Sequence, residues 1–278
     1  MSVLDHLREL RRRLVVMVLI VAAGSIVGWV FYQDILNFLK EPYCSIPAKY
    51  RYVPGGTHEC VLTYHGVLDG FTARLKVSVI AGAVLTGPLW LYQIWAFIVP
   101  GLRKNERKYT IVFVIASTVL FVAGMALAYA VLSKGLRVLV TQATSSTQAI
   151  LTVTDYLNFV TLLLVVFGAA FELPLLVVMA NFAGVLPAKL LRKSQRLSIF
   201  LIFVFAAVAT PSTDPFTMCA MAIPMCLLFE AAVVIAVVHD RRKAQRRAVA
   251  VAPDPGDDVP SRIDPIPQPL DDQWTDTT

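Results

Sequence analysis

The sequence predicts an all-α polytopic membrane protein with six transmembrane helices. Apolar residues make up 57% of the 278 residues and charged residues 16%, whereas soluble domains carry roughly a quarter charged residues. Apolar windows close to the ~20 residues that span a hydrocarbon core recur along the chain. Lys and Arg are concentrated in alternate links between these windows, as in cytoplasmic loops. The predicted spans are residues 14–32, 77–99, 109–133, 156–182, 197–210 and 216–238.

The first and fifth windows need separate justification. The first follows a basic segment, but it is longer than the ~7 to 15 apolar residues of a signal peptide and ends in "WVFYQD", so it predicts an anchor. The fifth is short, which favours local thinning of the bilayer or support from longer neighbouring helices. We therefore predict an N-terminal segment (1–13), a six-span domain (14–240) and a tail (241–278) that is basic at first and then rich in Pro and Asp. The composition of its Pro- and Asp-rich part favours disorder.

The distribution of positive charge predicts the orientation of the chain. Most of the 25 Lys and Arg residues lie before the first span, between the second and third, between the fourth and fifth, or after the sixth. Since positive loops stay in the cytoplasm, both termini are predicted to be cytoplasmic. The net charge of +6 then reflects topology and contact with anionic lipids rather than nucleic-acid binding.

The cysteines and the absence of catalytic motifs bear on chemistry. Cys44 and Cys60 fall in the first outer loop, where a disulfide could contribute ~3 kcal/mol. Cys219 and Cys226 are roughly 10 Å apart along one helix and are interpreted as packing residues. The sequence contains no cysteine or histidine pattern with metal spacing, nucleophile elbow, HExxH motif or phosphate-binding glycine loop. These observations predict no metal, no cofactor and no enzymatic activity.

A single acid lies deep in the fourth span, in the motif "FELP". Glu172 is roughly 15 Å from the inner end of its helix, and Pro174 cannot donate to the carbonyl of Ala170. Two unpaired acceptors in lipid would cost several kcal/mol. Because Gly168 and Ala169 leave space nearby, we favour a polar recess open to water or a partner. The alternative is a protonated Glu172 sealed in the helix bundle.

Two further acids lie in basic surroundings on the predicted cytoplasmic side. Glu9 is part of "HLRELRRRL" and Glu106 of "PGLRKNERK". Glu9 could form helix-face ion pairs with Arg12 or Arg13. Alternatively, both carboxylates could bind a cationic ligand, for which bidentate Arg–carboxylate pairing is strong and specific.

Four motifs on these spans match a known family. They are "HLRELRRRL" at 6–14, "LYQIWAFIVPGLRKNERK" at 91–108, "FELP" at 171–174 and "ATPSTDPFTMCAMAIPMCLLFE" at 209–230. In order and spacing the chain resembles the TatC family, a subunit of the twin-arginine protein translocase, over about residues 4 to 240. The resemblance implies six helices in a cupped wall and a receptor for signal peptides that carry consecutive arginines. It also implies single-span TatA/TatB-type partners, a homo-oligomer within a receptor complex, and nucleation of the translocation site in the bacterial cytoplasmic membrane.

The resemblance also implies roles for individual residues. Those assigned to signal-peptide binding are Glu9, Arg11, Phe97 and Glu106. Glu172 matches the buried acid of the concave face, Pro42 the outer-loop proline, and Thr210 and Asp214 the corner where a partner subunit docks. Three features depart from the family pattern: the extra residue in "PSTDP", Met218 where Gln is frequent, and the cysteine pair with the acidic tail.

Two other classes of function use similar features. A secondary transporter for a small solute also has buried acids and proline-broken helices, but usually shows paired repeats, and "TGPLWL" and "FELPLL" do not occupy equivalent positions in two halves. A purely structural scaffold would predict that acid substitutions change only assembly or abundance.

Overall fold

The structure is a computed structural model that describes residues 3–46, 60, 62–64, 66–98, 107–141, 152–210 and 215–251. The chain divides into two compact units, 1–239 and 240–278. Within the described residues there are nine helices: α1 (Val3–Val30), α2 (Tyr32–Cys44), α3 (Asp69–Leu85), α4 (Gly87–Ile98), α5 (Arg107–Thr141), α6 (Val153–Phe182), α7 (Ala188–Lys193), α8 (Gln195–Ala209) and α9 (Pro215–Val251).

Large apolar side chains cover the outward faces of these helices. Ile26 on α1, Val119 on α5 and Phe200 on α8 are among many that are more than half exposed. An apolar surface of this extent would be unstable in water, so it fits a hydrocarbon solvent. The fold is therefore that of an α-helical polytopic membrane protein.

Four helices are long and apolar enough to cross a membrane: α1, α5, α6 and α9, and the pair α3–α4 would make a fifth span if its two parts are counted together. The helix α1 begins at Val3, earlier than the predicted start at residue 14, because the basic segment continues the same helix. The helix α8 has 15 residues, which is roughly 22 Å, less than a hydrocarbon core of ~30 Å. The predicted short fifth apolar segment is thus present as a helix.

The second predicted span, 77–99, differs from the structure because it is broken at Thr86. The axes of α3 and α4 are bent by 62° there. Pro88 follows the break; it lacks a backbone N–H, and proline restricts the residue before it. The Thr86 hydroxyl donates to the carbonyl of Gly82 at 2.7 Å, and the indole Nε1 of Trp90 donates to the carbonyl of Ala83 at 2.8 Å. The bend therefore keeps two carbonyl groups hydrogen-bonded.

Glycines bring α1 and α3 into close contact. A Cβ atom on Gly24 would lie 2.6 Å from the Thr86 methyl group, and one on Gly28 would lie 2.6 Å from the carbonyl oxygen of Ser78. On the facing helix, a Cβ on Gly82 would lie 2.4 Å from the backbone nitrogen of Ser25. Small residues at this spacing allow helices to pack closely in lipid.

The helix α2 packs against α3 and α5, near one end of α6. The hydroxyl of Tyr156, a fully buried residue of α6, donates to the carbonyl of Leu39 on α2. A disulfide joins Cys44, the last residue of α2, to Cys60, with the two Cα atoms 5.6 Å apart. Nearby, the backbone N–H of Val153 donates to the carbonyl of Thr63 at 3.0 Å. These contacts hold the segment after α1 against the start of α6.

The short helix α8 is attached to α9 by a polar contact. Gln195, the first residue of α8, donates from its amide to the carboxylate of Glu230 on α9. Below this contact, Ala206 of α8 and Met221, Ala222 and Met225 of α9 belong to the main apolar core. The carboxylate of Glu230 therefore has a hydrogen-bond partner within the bundle.

Candidate functional site

The carboxylate of Glu9 lies on α1 and contacts a guanidinium group of its own helix. Its Oε1 atom accepts hydrogen bonds from Nε of Arg13 at 3.0 Å and from Nη2 of Arg13 at 2.7 Å. Residues four apart share one face of a helix, which explains the pairing. The helix-face ion pair that the sequence allowed is therefore formed, and it is formed with Arg13.

Phe97 lies beside the beginning of α1. Its ring stacks on the imidazole of His6, with ring centroids 4.5 Å apart. About two turns further along α1, Nη1 of Arg13 is 3.5 Å from Oε1 of Gln93 on α4. Since His6, Glu9 and Arg13 are three and four residues apart, they lie along one face of α1 that is turned towards the end of α4. Phe97 thus contacts α1 at His6, three residues before Glu9.

Of the other two residues assigned to the same site, the structure describes only Arg11. Arg11 is exposed on α1, where it lines a shallow depression with Arg8, Glu9 and Arg12. Glu106 lies outside the described residues and directly precedes α5. The depression is lined by three arginines and by the carboxylates of Asp5 and Glu9.

Glu172 faces α5 from the middle of α6. Its Oε2 atom accepts a hydrogen bond from the hydroxyl of Ser117 at 2.6 Å, and Ser117 is fully buried. Its Oε1 atom is buried and has no hydrogen-bond partner in the described part of the chain. One acceptor of the carboxyl group is therefore satisfied within the bundle and the other is not.

The expectation that Gly168 leaves open space beside Glu172 is corrected by the structure. A Cβ on Gly168 would lie 2.8 Å from the ring of Phe121, and one on Gly124 would lie 2.7 Å from the carbonyl oxygen of Phe167. The space is filled because these glycines allow α5 and α6 to approach closely. Ala169, in contrast, is exposed.

Pro42 lies inside α2, where it leaves one carbonyl without its helical donor. A proline at 42 cannot donate to the carbonyl of Phe38. The hydroxyl of Tyr129 on α5 donates to that carbonyl at 2.9 Å, and its ring stacks on Phe38 with a centroid separation of 4.5 Å. Pro42 therefore leaves a backbone acceptor on α2 to which the hydroxyl of Tyr129 donates.

Thr210 ends α8, and its hydroxyl donates to the carbonyl of Ala206 at 2.9 Å. Asp214, the other residue assigned to this corner, lies outside the described residues. The structure therefore locates only one of these two residues, and the assignment of a partner contact to them stays a prediction.

Four side-chain contacts at or near the candidate sites were not predicted from the sequence. The missed contacts are those of Ser117 with Glu172, His6 with Phe97, Gln93 with Arg13, and Tyr129 with Phe38. A signal for Ser117 was present, since Ser117 and Thr118 are adjacent hydroxyls within an apolar run. Polar residues at membrane depth are functional candidates by default.

The fold and the site define a class: a multi-span α-helical membrane protein with charged groups at one end of the bundle and a polar pair within it. The family model described as "Sec-independent protein translocase protein (TatC)" matches residues 5–224. The chain belongs to the TatC family.

Individual relatives agree with this assignment. A TatC protein of Frankia casuarinae is 45% identical over 95% of this chain and 73% of the relative. One from Corynebacterium kroppenstedtii is 39% identical over 88% of this chain and 63% of the relative. A crystal structure of a TatC described as a twin-arginine translocase receptor is similar with a TM-score of 0.68 and 30% identity, over 83% of this chain and 99% of that one.

Family membership fixes the general role of the chain. It is a component of the Sec-independent protein translocase and takes part in protein transport. Its apolar helices make it an integral protein of the cytoplasmic membrane. Its partners are, in general terms, those of the Tat system.

Proposed function

We propose that this chain is the receptor subunit that binds the twin-Arg signal peptides of folded precursor proteins at the cytoplasmic face of the membrane. The observation that carries the proposal is the contact between Glu9 and Arg13, in which one carboxylate oxygen accepts from two nitrogens of a guanidinium group. An arginine of a signal peptide requires the same acceptor. Charge-assisted hydrogen bonds of this kind are roughly twice as strong as neutral ones.

Two arginines in a row require a second acceptor, and we assign that role to Glu106. The residue follows Phe97 by nine positions, and Phe97 stacks against α1 three residues before Glu9. The stacked pair His6–Phe97 offers aromatic faces on which a guanidinium plane can lie. Arg11 then acts as a neighbouring positive group that limits how a basic peptide can approach.

A signal peptide also carries an apolar segment, and Glu172 is proposed to set how deeply it enters. Between lipid and an apolar helix surface the hydrophobic gain is small, so polar contacts decide the register of the segment. The buried Oε1 atom of Glu172 lacks a donor among the described residues. A backbone or side-chain donor of the inserted segment could provide one at membrane depth.

The remaining assignments concern assembly. Single-span TatA/TatB-type subunits are proposed to dock at the corner formed by Thr210 and Asp214, and further copies of this chain to join the receptor complex. Pro42 would act indirectly, because it shapes the end of α2 that packs against Tyr129. Binding of a precursor would then nucleate the translocation site.

The test is photocrosslinking of the full chain in nanodiscs to a twin-Arg signal peptide that has a photoreactive group beside its arginines. Glu106→Gln and Glu9→Gln should each lower the crosslinking yield about tenfold, because a charged hydrogen bond of about 1.5 kcal/mol is lost. Asp34→Asn, which removes an exposed acid of α2, is the control and should crosslink like the wild type. Undiminished crosslinking in both glutamate variants would refute the receptor assignment.

A second photoreactive group in the apolar segment of the same peptide separates capture from insertion. Glu172→Leu should keep the crosslink near the arginines and lose the crosslink to α5 and α6. If the deep crosslink persists, Glu172 has no part in insertion, although the capture role of Glu9 and Glu106 would stand.

A further inference from the structure

A groove between α3 and α6 has the chemistry of a lipid site. It encloses about 400 Å³ and runs between two helices that face the membrane. Its walls are formed mainly by Leu75 and Val79 of α3 and Leu162 and Val165 of α6, all of which are exposed by about half. The polar lining residues are Lys76, Asn158 and Thr161. The groove is therefore apolar along its walls and carries a cation.

Lys76 lies where a membrane protein needs an anionic or polar partner. It is seven residues from the start of α3, so roughly 10 Å along the helix. A lysine at this depth is costly unless it is paired or reaches the interface with its long stem. Its ammonium group donates to Oδ1 of Asn158, which is a neutral group. The positive charge of Lys76 thus has a hydrogen-bond acceptor but no opposite charge among the contacts described for it.

Aromatic residues mark the same end of the bundle as an interface. The guanidinium of Arg74 lies 4.4 Å from the ring of Trp29 and 5.5 Å from the ring of Tyr32, and Trp29 packs edge-on against Phe71. Tryptophan and tyrosine are enriched at the level of lipid headgroups. Since α1 ends at Val30, these rings and Lys76 lie near the end of that span.

We propose that this groove binds one anionic phospholipid. The phosphate accepts from the ammonium group of Lys76, which has three donors and uses one of them on Asn158. The side-chain NH₂ group of Asn158 is a second donor for the same headgroup. An acyl chain lies between Leu75 and Val79 on one side and Leu162 and Val165 on the other. The combination of an apolar groove and one cation at a headgroup-level interface selects an amphiphile with a negative head.

A partner helix fits the groove less well than a lipid. A single-span helix would present an apolar surface along its whole length and would leave the charge of Lys76 without a counterion. An anionic phospholipid supplies both parts. Binding of a lipid in this groove does not require binding of a signal peptide. The test of the lipid site is therefore independent of the function proposed above.

The test is native mass spectrometry of the full chain in detergent, titrated separately with phosphatidylglycerol and with phosphatidylcholine of the same acyl chains. The wild type should retain one phosphatidylglycerol more tightly than phosphatidylcholine, and Lys76→Gln should weaken that retention about fivefold, as expected for one lysine near anionic lipid. Lys76→Arg should preserve it. Lys134→Gln is the matched control: it removes the same charge from α5, where Lys134 lies over the ring of Phe216, and should retain the lipid like the wild type.

A second variant keeps the proposal testable if Lys76→Gln fails to fold. Val79→Trp fills the groove and leaves the charge of Lys76 in place, so it should reduce retention of phosphatidylglycerol. Equal retention of the two lipids by the wild type would overturn the proposal, as would an equal loss in Lys76→Gln and Lys134→Gln. Recovery of a polypeptide instead of lipid from a photoreactive group at Leu162 in cell membranes would also overturn it.

Discussion

At the scale of single residues, the carboxylate of Glu9 is occupied before any ligand arrives. Arg13 donates to it from two nitrogens, and the side chains of both residues are about one quarter exposed. An incoming arginine of a signal peptide must therefore replace an arginine of the chain itself. Exposed ion pairs at this helical spacing contribute about 0.3–0.5 kcal/mol, so the internal contact competes weakly.

This competition predicts the effect of Arg13→Gln. Loss of the internal partner frees Glu9, and the affinity for a twin-Arg signal peptide should rise about twofold. Fluorescence anisotropy of a labelled peptide with the purified full chain measures the change. Arg12→Gln removes the same charge from the next position and keeps the contact between Glu9 and Arg13, so it should not raise the affinity. A lower affinity in Arg13→Gln would show that Arg13 supports the site and does not compete for it.

At the scale of helices, prolines and breaks leave carbonyl groups without a helical donor, and side chains of neighbouring helices supply one. The carbonyl of Phe38, freed by Pro42, accepts from Tyr129 of α5, and at the end of α3 the carbonyl of Ala83 accepts from the indole Nε1 of Trp90 on α4. Both donors belong to aromatic residues that also pack by their rings. The breaks in the helices are thus points of attachment between helices.

A double-mutant cycle tests the attachment of α2 to α5. Tyr129→Phe should lower the free energy of unfolding by about 1 kcal/mol, because the Phe38 carbonyl loses its donor. In a Pro42→Ala background the same change should cost less, since the new backbone N–H at position 42 can donate to that carbonyl. Denaturation in mixed micelles gives both values. An equal cost in the two backgrounds would mean that the hydroxyl of Tyr129 is not coupled to Pro42.

The sequence predicted the helices better than it predicted their contacts. Apolar windows located α5, α6, α8 and α9 because each helix must satisfy its own backbone in lipid. The partners in the site are far apart in sequence: Ser117 and Glu172 are 55 residues apart and Arg13 and Gln93 are 80. A hydropathy profile averages over neighbouring residues, so it cannot predict contacts between residues this far apart. The break at Thr86 was missed because the apolar composition continues through it, although Gly87 and Pro88 signalled it.

At the scale of the whole molecule, the number of membrane crossings depends on α8. Four helices and the bent pair α3–α4 account for up to five spans; with that pair counted as one span, α8 must be a sixth for both termini to lie on one side. The helix α8 is short, but Gln195 at its start and Ala206 near its end both engage α9 or the core. A short helix held by longer neighbours can cross a locally thinned bilayer.

We therefore predict that the two ends of α8 lie on opposite sides of the membrane. In a background in which the free cysteines Cys219 and Cys226 are replaced by serine, Ser212→Cys should react with an impermeant maleimide in intact cells. Ser194→Cys should react only after the membrane is permeabilised, because it lies beside Arg192 and Lys193 in a link whose positive charge keeps it in the cytoplasm.

The disulfide between Cys44 and Cys60 protects that pair from the reagent and should itself lie on the side of Ser212, where oxidising conditions prevail. If both introduced cysteines react on the same side, α8 does not cross; with α3–α4 counted as one span, the two termini of the chain would then lie on opposite sides.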